Sequence, residues 1–444
     1  MHTKYTNGEI WKVAYPILIS LIMEQLIGMT DTAFMGRVGE VELGASAIAG
    51  VYYLAIFMLG FGFSIGSQIL IARRNGEGNF RMIGSIFYQG IYFLLAMALV
   101  MFTLSRLFSP WILSHVVASP RICEAAVSYI NWRVFGFFFS FVAIMFRAFF
   151  VGTTQTKTLT LNSIVMVTSN VVFNYILVFG KLGFPALGIA GAAIGSSLAE
   201  LVSMLFFIIY TTRKVDCAKY GLNQLVSFFR WTELKRIMGV SLWTMIQNAV
   251  SISTWFLFFI FIEHLGERSL AITNIVRNVS SIPFMTITAF ASTCSSLVSN
   301  LIGSGEARYV MPTIRQHVRL CTCIVWPIIL LIACLPTYVL RIYTDMPDLV
   351  EAAVPTLWVL CSSYLFQCAG FIFFQSVSGT GDTRSAFLLE IVALTCYLIF
   401  IVTVILLLKM DVAVCWFAEH VYAGAIGLLS YLYLKKGSWQ RKQI

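Results

Sequence analysis

Residues 213–236, RKVDCAKYGLNQLVSFFRWTELKR, carry eight charged side chains and form the one long polar break in a chain of 444 residues. On each side of it lie six runs of mostly apolar residues, each near the roughly 20 that a helix needs to cross the hydrocarbon core of a bilayer. The runs are approximately 13–36, 44–72, 83–108, 124–150, 158–180 and 188–212, then 238–263, 270–300, 315–341, 350–378, 385–408 and 412–434. Charges, Gly and Pro mark the joints between them. The expected architecture is an all-α polytopic membrane protein with twelve transmembrane helices in two six-helix lobes. The expected divisions are an N-lobe at 1–212, a cytoplasmic linker at 213–237, and a C-lobe at 238–444 that ends in a short basic tail.

Composition excludes the soluble alternatives. Hydrophobic residues make up 59% and charged residues 11%, with a mean hydropathy of +0.85; soluble globular proteins carry roughly 25% charged residues. Such a chain could not cover a water-facing surface, which rules out a cytosolic enzyme, a secreted disulfide scaffold and a disordered regulator. The ten cysteines lie mostly inside apolar runs with no paired Cys-x-x-Cys elements, so they read as small hydrophobes, and no metal or redox cofactor is expected. The apolar run from Val13 continues beyond Phe34 without a cleavage site, as in a retained first span.

The basic residues sort by side. With a cytoplasmic N-terminus, twenty Lys and Arg fall on inner segments and seven on outer ones, while Arg133, Arg147 and Arg277 lie within or at the edge of spans. That bias places both termini in the cytoplasm of a plasma (inner) membrane. The net charge of +10 then reads as orientation and attraction to the anionic inner leaflet, with no nucleic-acid partner.

A shift of 227 residues brings the halves into register. Gly39-Glu40 falls on Gly266-Glu267, Gly76 and Gly78 on Gly303 and Gly305, and Gly152-Thr153 with Lys157 on Gly379-Thr380 with Arg384. Polar turn chemistry does not recur through hydrophobic bias alone. Six spans per half make the repeats parallel, related by an axis along the membrane normal.

Ionisable residues inside spans are costly and mark function. Glu24 and Asp31 are two helical turns apart in the first span and share one face about 10 Å apart along the axis. A carboxylate in low dielectric suits exchange of a proton or a sodium ion against a cationic substrate. Pro16 removes a backbone hydrogen bond and could bend this span, coupling Asp31 to the width of a cleft. Asn170 and Asn174 face one way in the fifth span and either extend an Asp31 network or bond between helices. Gln25, Glu200, Gln247, Gln367 and Glu390 are candidates to line the substrate cleft, though Glu200 and Glu390 read equally as interhelical pairs. Glu419 also lies in a span, Glu263 at an outer end, and Arg133, Arg147 and Arg277 are candidate partners of these acids. His420 reads as a proton carrier or a structural histidine.

Asp31-Thr32-Ala33-Phe34-Met35-Gly36-Arg37-Val38-Gly39, followed by Leu43-Gly44-Ala45, resembles the end of the first span in the multidrug and toxic compound extrusion (MATE) family. Asn174 to Gly180, with Gly183 to Ala193, is similar to that family's fifth-to-sixth span connection, and Gly379-Thr380-Gly381-Asp382-Thr383 to the turn after its tenth span. The resemblance covers nearly the whole chain. It implies a monomeric antiporter whose two lobes rock, exporting cationic or amphipathic compounds against protons or sodium ions, with an ion-coupling acid that matches Asp31. The NorM-like branch carries a Glu in the seventh span and an Asp in the tenth, where this chain has Ser251 and Gln367. The DinF-like branch has a second Asp in the fifth span, where Asn174 stands. Because the shift maps Glu24 onto Ser251, Glu24 is expected to join Asp31, Asn170 and Asn174 in one coupling cluster.

A lipid-linked precursor or polysaccharide flippase of the wider superfamily is the alternative. It would hold its anionic cargo with several bases inside the N-lobe, whereas the first two spans here carry acids and no interior base. An intramembrane enzyme is not expected: the five histidines, His2, His115, His264, His317 and His420, form no zinc motif.

Overall fold

The structure is a computed structural model describing residues 3–224, 229–441 and 444. His2, Lys442 and residues 225–228 of the expected linker lie outside the described residues.

The apolar runs form helices. In the first half these are α1 (Asn7–Val38), α2 (Glu40–Gly76), α3 (Phe80–Val116), α4 (Pro120–Arg133), α5 (Gly136–Gly152), α6 (Lys157–Phe179) and α7 (Ile189–Lys214). The second half has α8 (Trp231–Glu263), α9 (Glu267–Gly303), α10 (Val310–Cys334), α11 (Pro336–Arg341), α12 (Pro347–Gly379), α13 (Thr383–Ile401), α14 (Val412–Cys415) and α15 (Ala418–Lys436). Short 3-10 turns at Ala307–Tyr309 and Ser438–Arg441 flank α10 and α15, and a π-helical stretch, Val402–Leu407, prolongs α13. Among the described residues eleven helical segments are long and apolar enough to cross a bilayer. The fourth expected run, 124–150, is corrected: it is the pair α4 and α5, bent by 52°, which makes a twelfth span when counted as one.

Contacts divide the chain into two compact units. One is Ile19–Met245; the other joins Met1–Leu18 to Ile246–Ile444. The first turns of α1 thus belong with the second half and those of α8 with the first, and Pro16 lies just before the point where α1 passes from one unit to the other. In the first unit α2 packs on α3, α4 and α5, and α7 on α5 and α6. Phe63, Phe137, Phe141, Phe149 and Phe150 fill its centre. In the second, α12 packs on α9, α10 and α15, and α13 on α15. Phe258, Phe290, Tyr364 and Trp416 are buried there.

The 227-residue repeat is visible in backbone geometry. Gly78 and its equivalent Gly305 take φ of +72° and +76°, and their N–H groups donate to Asn75 O and Ile302 O at 3.2 and 3.1 Å. Thr154 and its equivalent Gly381 also share a left-handed backbone, at φ +63° and +88°. Thr153 N–H donates to Phe149 O at 2.9 Å as Thr380 N–H does to Ser376 O at 3.1 Å. The same turns join the same pairs of helices in both halves.

Candidate functional site

Asp31 stands on α1 against α6 and α7. Asn174 Nδ2 donates to its Oδ1 at 2.5 Å and Ser196 Oγ to its Oδ2 at 3.3 Å. Asn174 Nδ2 also reaches Asn170 Oδ1 at 3.3 Å, and Asn170 Nδ2 donates to Ser196 Oγ at 3.2 Å. The four side chains close a ring. One helical turn separates the two asparagines, which is why both face α1 and α7. Room for Asn174 comes from Gly195: a Cβ there would lie 2.3 Å from Asn174 Oδ1. That oxygen is buried without a hydrogen-bond partner. Among the described residues no base lies in ion-pair contact with Asp31. A carboxylate with two amide oxygens and a hydroxyl is a hard-oxygen donor set, able to take a proton or a sodium ion as cargo.

Glu24 is placed apart from this ring. Its half-exposed side chain lies 3.4 Å from Arg147 Nη1 on α5 and 3.5 Å from Ser20 Oγ. Ser163 Oγ on α6 donates in turn to Ser20 Oγ at 2.9 Å. Ser20, Glu24 and Arg147 border a cavity of about 210 Å³ with Tyr53, Asn162 and Glu200. Gln25, beside Glu24, is exposed.

Glu200 borders the same cavity but its charge is spent on Arg133. The guanidinium donates to both carboxylate oxygens, at 2.7 and 2.8 Å, and Tyr53 OH reaches both at 3.0 Å. The guanidinium also lies 3.7 Å over the Tyr53 ring, which stacks on Phe137 at 4.7 Å. Such a bidentate pair, capped by an aromatic face, is a fixed structural unit. Its location explains the bent span: Arg133 ends α4, Gly136 begins α5, and a Cβ on Gly136 would lie 2.2 Å from Glu200 Oε2 and 2.4 Å from Arg133 Nη1. Hydropathy misses this break because Val134 and Phe135 are apolar; the available signal is an Arg followed by a Gly within an apolar run.

The other candidates belong to the second unit. Gln247 and Gln367 are buried, the latter donating to Ser363 Oγ at 2.9 Å. Glu390 accepts from Ser251 Oγ and Tyr422 OH. Arg277 pairs with no acid within 4 Å among the described residues; its guanidinium lies over Trp255 and Phe259 at 5.8 and 5.4 Å. His420 Nε2 shares a hydrogen bond with Ser362 Oγ at 2.8 Å. Sequence reasoning missed Ser196 and Tyr422. Their spacing after Asn170 and Glu390 carries no periodic signal, because each belongs to another helix.

The MatE family profile matches residues 16–176 and 244–421. The chain belongs to this family. It is therefore a multi-pass membrane transporter and not an enzyme. A protein named probable multidrug resistance protein NorM from Thermotoga maritima is 22% identical over 442 residues, covering 98% of this chain and 94% of its own. Another of that name from Agrobacterium fabrum is 25% identical over 82% of this chain and 77% of its own. Solved structures agree in fold. A MOP superfamily transporter from Pyrococcus furiosus, described as having a binding pocket of reverse polarity, superposes with a TM-score of 0.89 at 16% identity, covering 98% of this chain and 96% of that one. A multidrug resistance MATE family transporter in an outward-facing conformation gives 0.86 at 16% identity over the same shares.

Proposed function

We propose that this MATE transporter is a secondary active antiporter that exports cationic or amphipathic small molecules in exchange for protons or sodium ions. The observation that carries the reading is Asp31, held by Asn174 and Ser196 with no base in ion-pair contact among the described residues. A carboxylate inside a membrane protein stays charged only beside a cation, so an unpaired one exchanges its cation or proton with what passes. The balance of charge within the spans of the first unit supports a cationic cargo. Arg133 is matched by Glu200 and Arg147 faces Glu24, so neither of these bases is paired with Asp31. A flippase for acidic precursors would need these bases free. The relatives named as multidrug resistance proteins agree with the reading.

In this account the two lobes, 1–212 and 238–444, rock as bodies joined by the 213–237 linker, and Pro16 gives α1 its freedom to bend. Both termini are cytoplasmic, in a plasma (inner) membrane, and the working unit is a monomer. Everted vesicles loaded with ethidium, with sodium and proton gradients imposed in turn, test the reading. Ethidium movement that follows at least one gradient is expected; movement indifferent to both contradicts it.

A further inference from the structure

The two halves hold the same polar pair with the acid and the serine exchanged. Position 24 on α1 is Glu and its equivalent on α8 is Ser251; position 163 on α6 is Ser and its equivalent on α13 is Glu390. In the first unit Ser163 reaches Glu24 through Ser20, by contacts of 2.9 and 3.5 Å. In the second unit Ser251 Oγ donates to Glu390 Oε1 directly. Each half thus ties its first span to its fifth with one carboxylate and serine hydroxyls. The differences lie in counter-charge and solvent. Glu24 is half-exposed with Arg147 in reach; Glu390 is 2% exposed and has no ion pair among the described residues.

Among the described residues, the surroundings of Glu390 offer hydroxyls and an amide oxygen and no base in ion-pair contact. Tyr422 OH donates to Oε1 at 3.0 Å, whereas Oε2 is buried without a hydrogen-bond partner. One turn before Ser251 on α8, Gln247 Oε1 is likewise buried and unpartnered. So is the hydroxyl of Tyr397, two turns along α13, whose ring meets that of Tyr422 edge-on at 6.2 Å. The bases on the packed helices lie near helix ends, Arg384 at the start of α13, Lys235 and Arg236 near the start of α8, and Lys435 and Lys436 at the end of α15, and among the described residues none makes an ion pair with Glu390. Glu419 on α15 is partly buried without an ion pair, Tyr364 OH on α12 donates to Ser280 O, Cys368 on α12 is buried, and His420 is engaged with Ser362. A buried carboxylate in such a setting is stable only when it carries a proton or holds a cation. Buried acceptor oxygens left over on the facing helix fit the same guest.

We propose that Glu390 is a cation-binding carboxylate of the second unit, loading a proton or a sodium ion at its free oxygen, so that the transporter carries one exchangeable cation at Asp31 and another at Glu390. The proposal rests on the antiport reading above and adds the stoichiometry. The test uses purified protein in proteoliposomes clamped at zero membrane potential, measuring the substrate gradient that a known gradient of the driving cation sustains. With two coupled cations a gradient of about tenfold sustains one of about a hundredfold, and with one cation about tenfold. Wild type near a hundredfold, Glu390→Gln near tenfold and still coupled, and Glu390→Asp restored are the expected results. Wild type near tenfold overturns the Glu390 site whether or not any variant folds, and leaves single-cation antiport standing. Equal ratios for wild type and a folded Glu390→Gln overturn it as well. A wild type that ignores every cation gradient overturns the antiport reading itself. As an independent readout, pH- or sodium-difference infrared spectra of the wild type should contain a carboxyl signal that Glu390→Gln removes; an unchanged spectrum contradicts the site.

Discussion

Asn174 on α6 donates to Asp31 on α1 at 2.5 Å, and it occupies a space that only a glycine at position 195 of α7 leaves open. The contact ties three helices of one unit to a single carboxylate. A hydrogen bond to a charged group contributes about 1.5–3 kcal/mol, so Asn174→Ala is expected to weaken cation-coupled transport by about tenfold or more. Gly195→Ala should act in the same direction by displacing Asn174. Cation-dependence curves of efflux, normalised to protein in the membrane, check both; curves that superpose on the wild type contradict the assigned role.

The Arg133–Glu200 pair behaves differently because it is matched and buried. Removing one partner strands the other, at a cost of about 3–5 kcal/mol, whereas replacing both with apolar residues of similar size is near neutral. Arg133→Leu and Glu200→Leu alone should lower the melting temperature in detergent sharply, and the double substitution should recover most of the loss. Gly136→Ala should resemble the single substitutions, because its added methyl falls on the pair. Additive losses in the double variant contradict this account.

These two groups show what the sequence made legible. The spans and the repeat follow from hydropathy and turn residues, which are local properties. The Asn170–Asn174–Asp31 association was legible because few polar groups lie in those spans and a four-residue spacing fixes their common face. A seven-residue spacing and the 227-residue repeat group Glu24 with Asp31 in the sequence. Sharing a face of α1 does not mean sharing neighbours: two turns apart, Asp31 meets α6 and α7 while Glu24 meets Arg147 of α5. The pairing of Arg133 with Glu200 depends on helix rotation and on the break at 134–135, neither of which has a hydropathy signature.

Thr154 adopts a left-handed backbone at φ +63° where its repeat partner is Gly381. A β-branched residue in that region costs about 1–2 kcal/mol, and glycine adopts it freely. Thr154→Gly is therefore expected to leave transport unchanged and to raise the unfolding free energy by up to about 1 kcal/mol, the gain being limited by glycine's greater unfolded-state entropy. Thermal unfolding in detergent measures it. A lower melting temperature contradicts the strain assigned to this turn.

At the exposed end of the second unit, Lys4 donates to Glu306 at 2.7 Å and holds its carboxyl below the usual glutamate value. The folded-state value is lowered, so the stabilisation is complete above the ordinary glutamate value and disappears as pH falls through the lowered one. Wild type and Lys4→Gln should differ slightly in melting temperature at neutral pH and converge on acidification. A difference that grows with acid contradicts the pairing. Salt should shrink the neutral-pH difference, since the pair is solvent-exposed.

The central claim is that Asp31 couples cation movement to export. Ethidium efflux under separately imposed sodium and proton gradients, compared for wild type and Asp31→Asn at equal membrane expression, measures it most directly. The account predicts gradient-driven efflux in the wild type and a loss of about tenfold or more in Asp31→Asn under whichever gradient drives the wild type. Undiminished gradient-driven efflux in Asp31→Asn would contradict it.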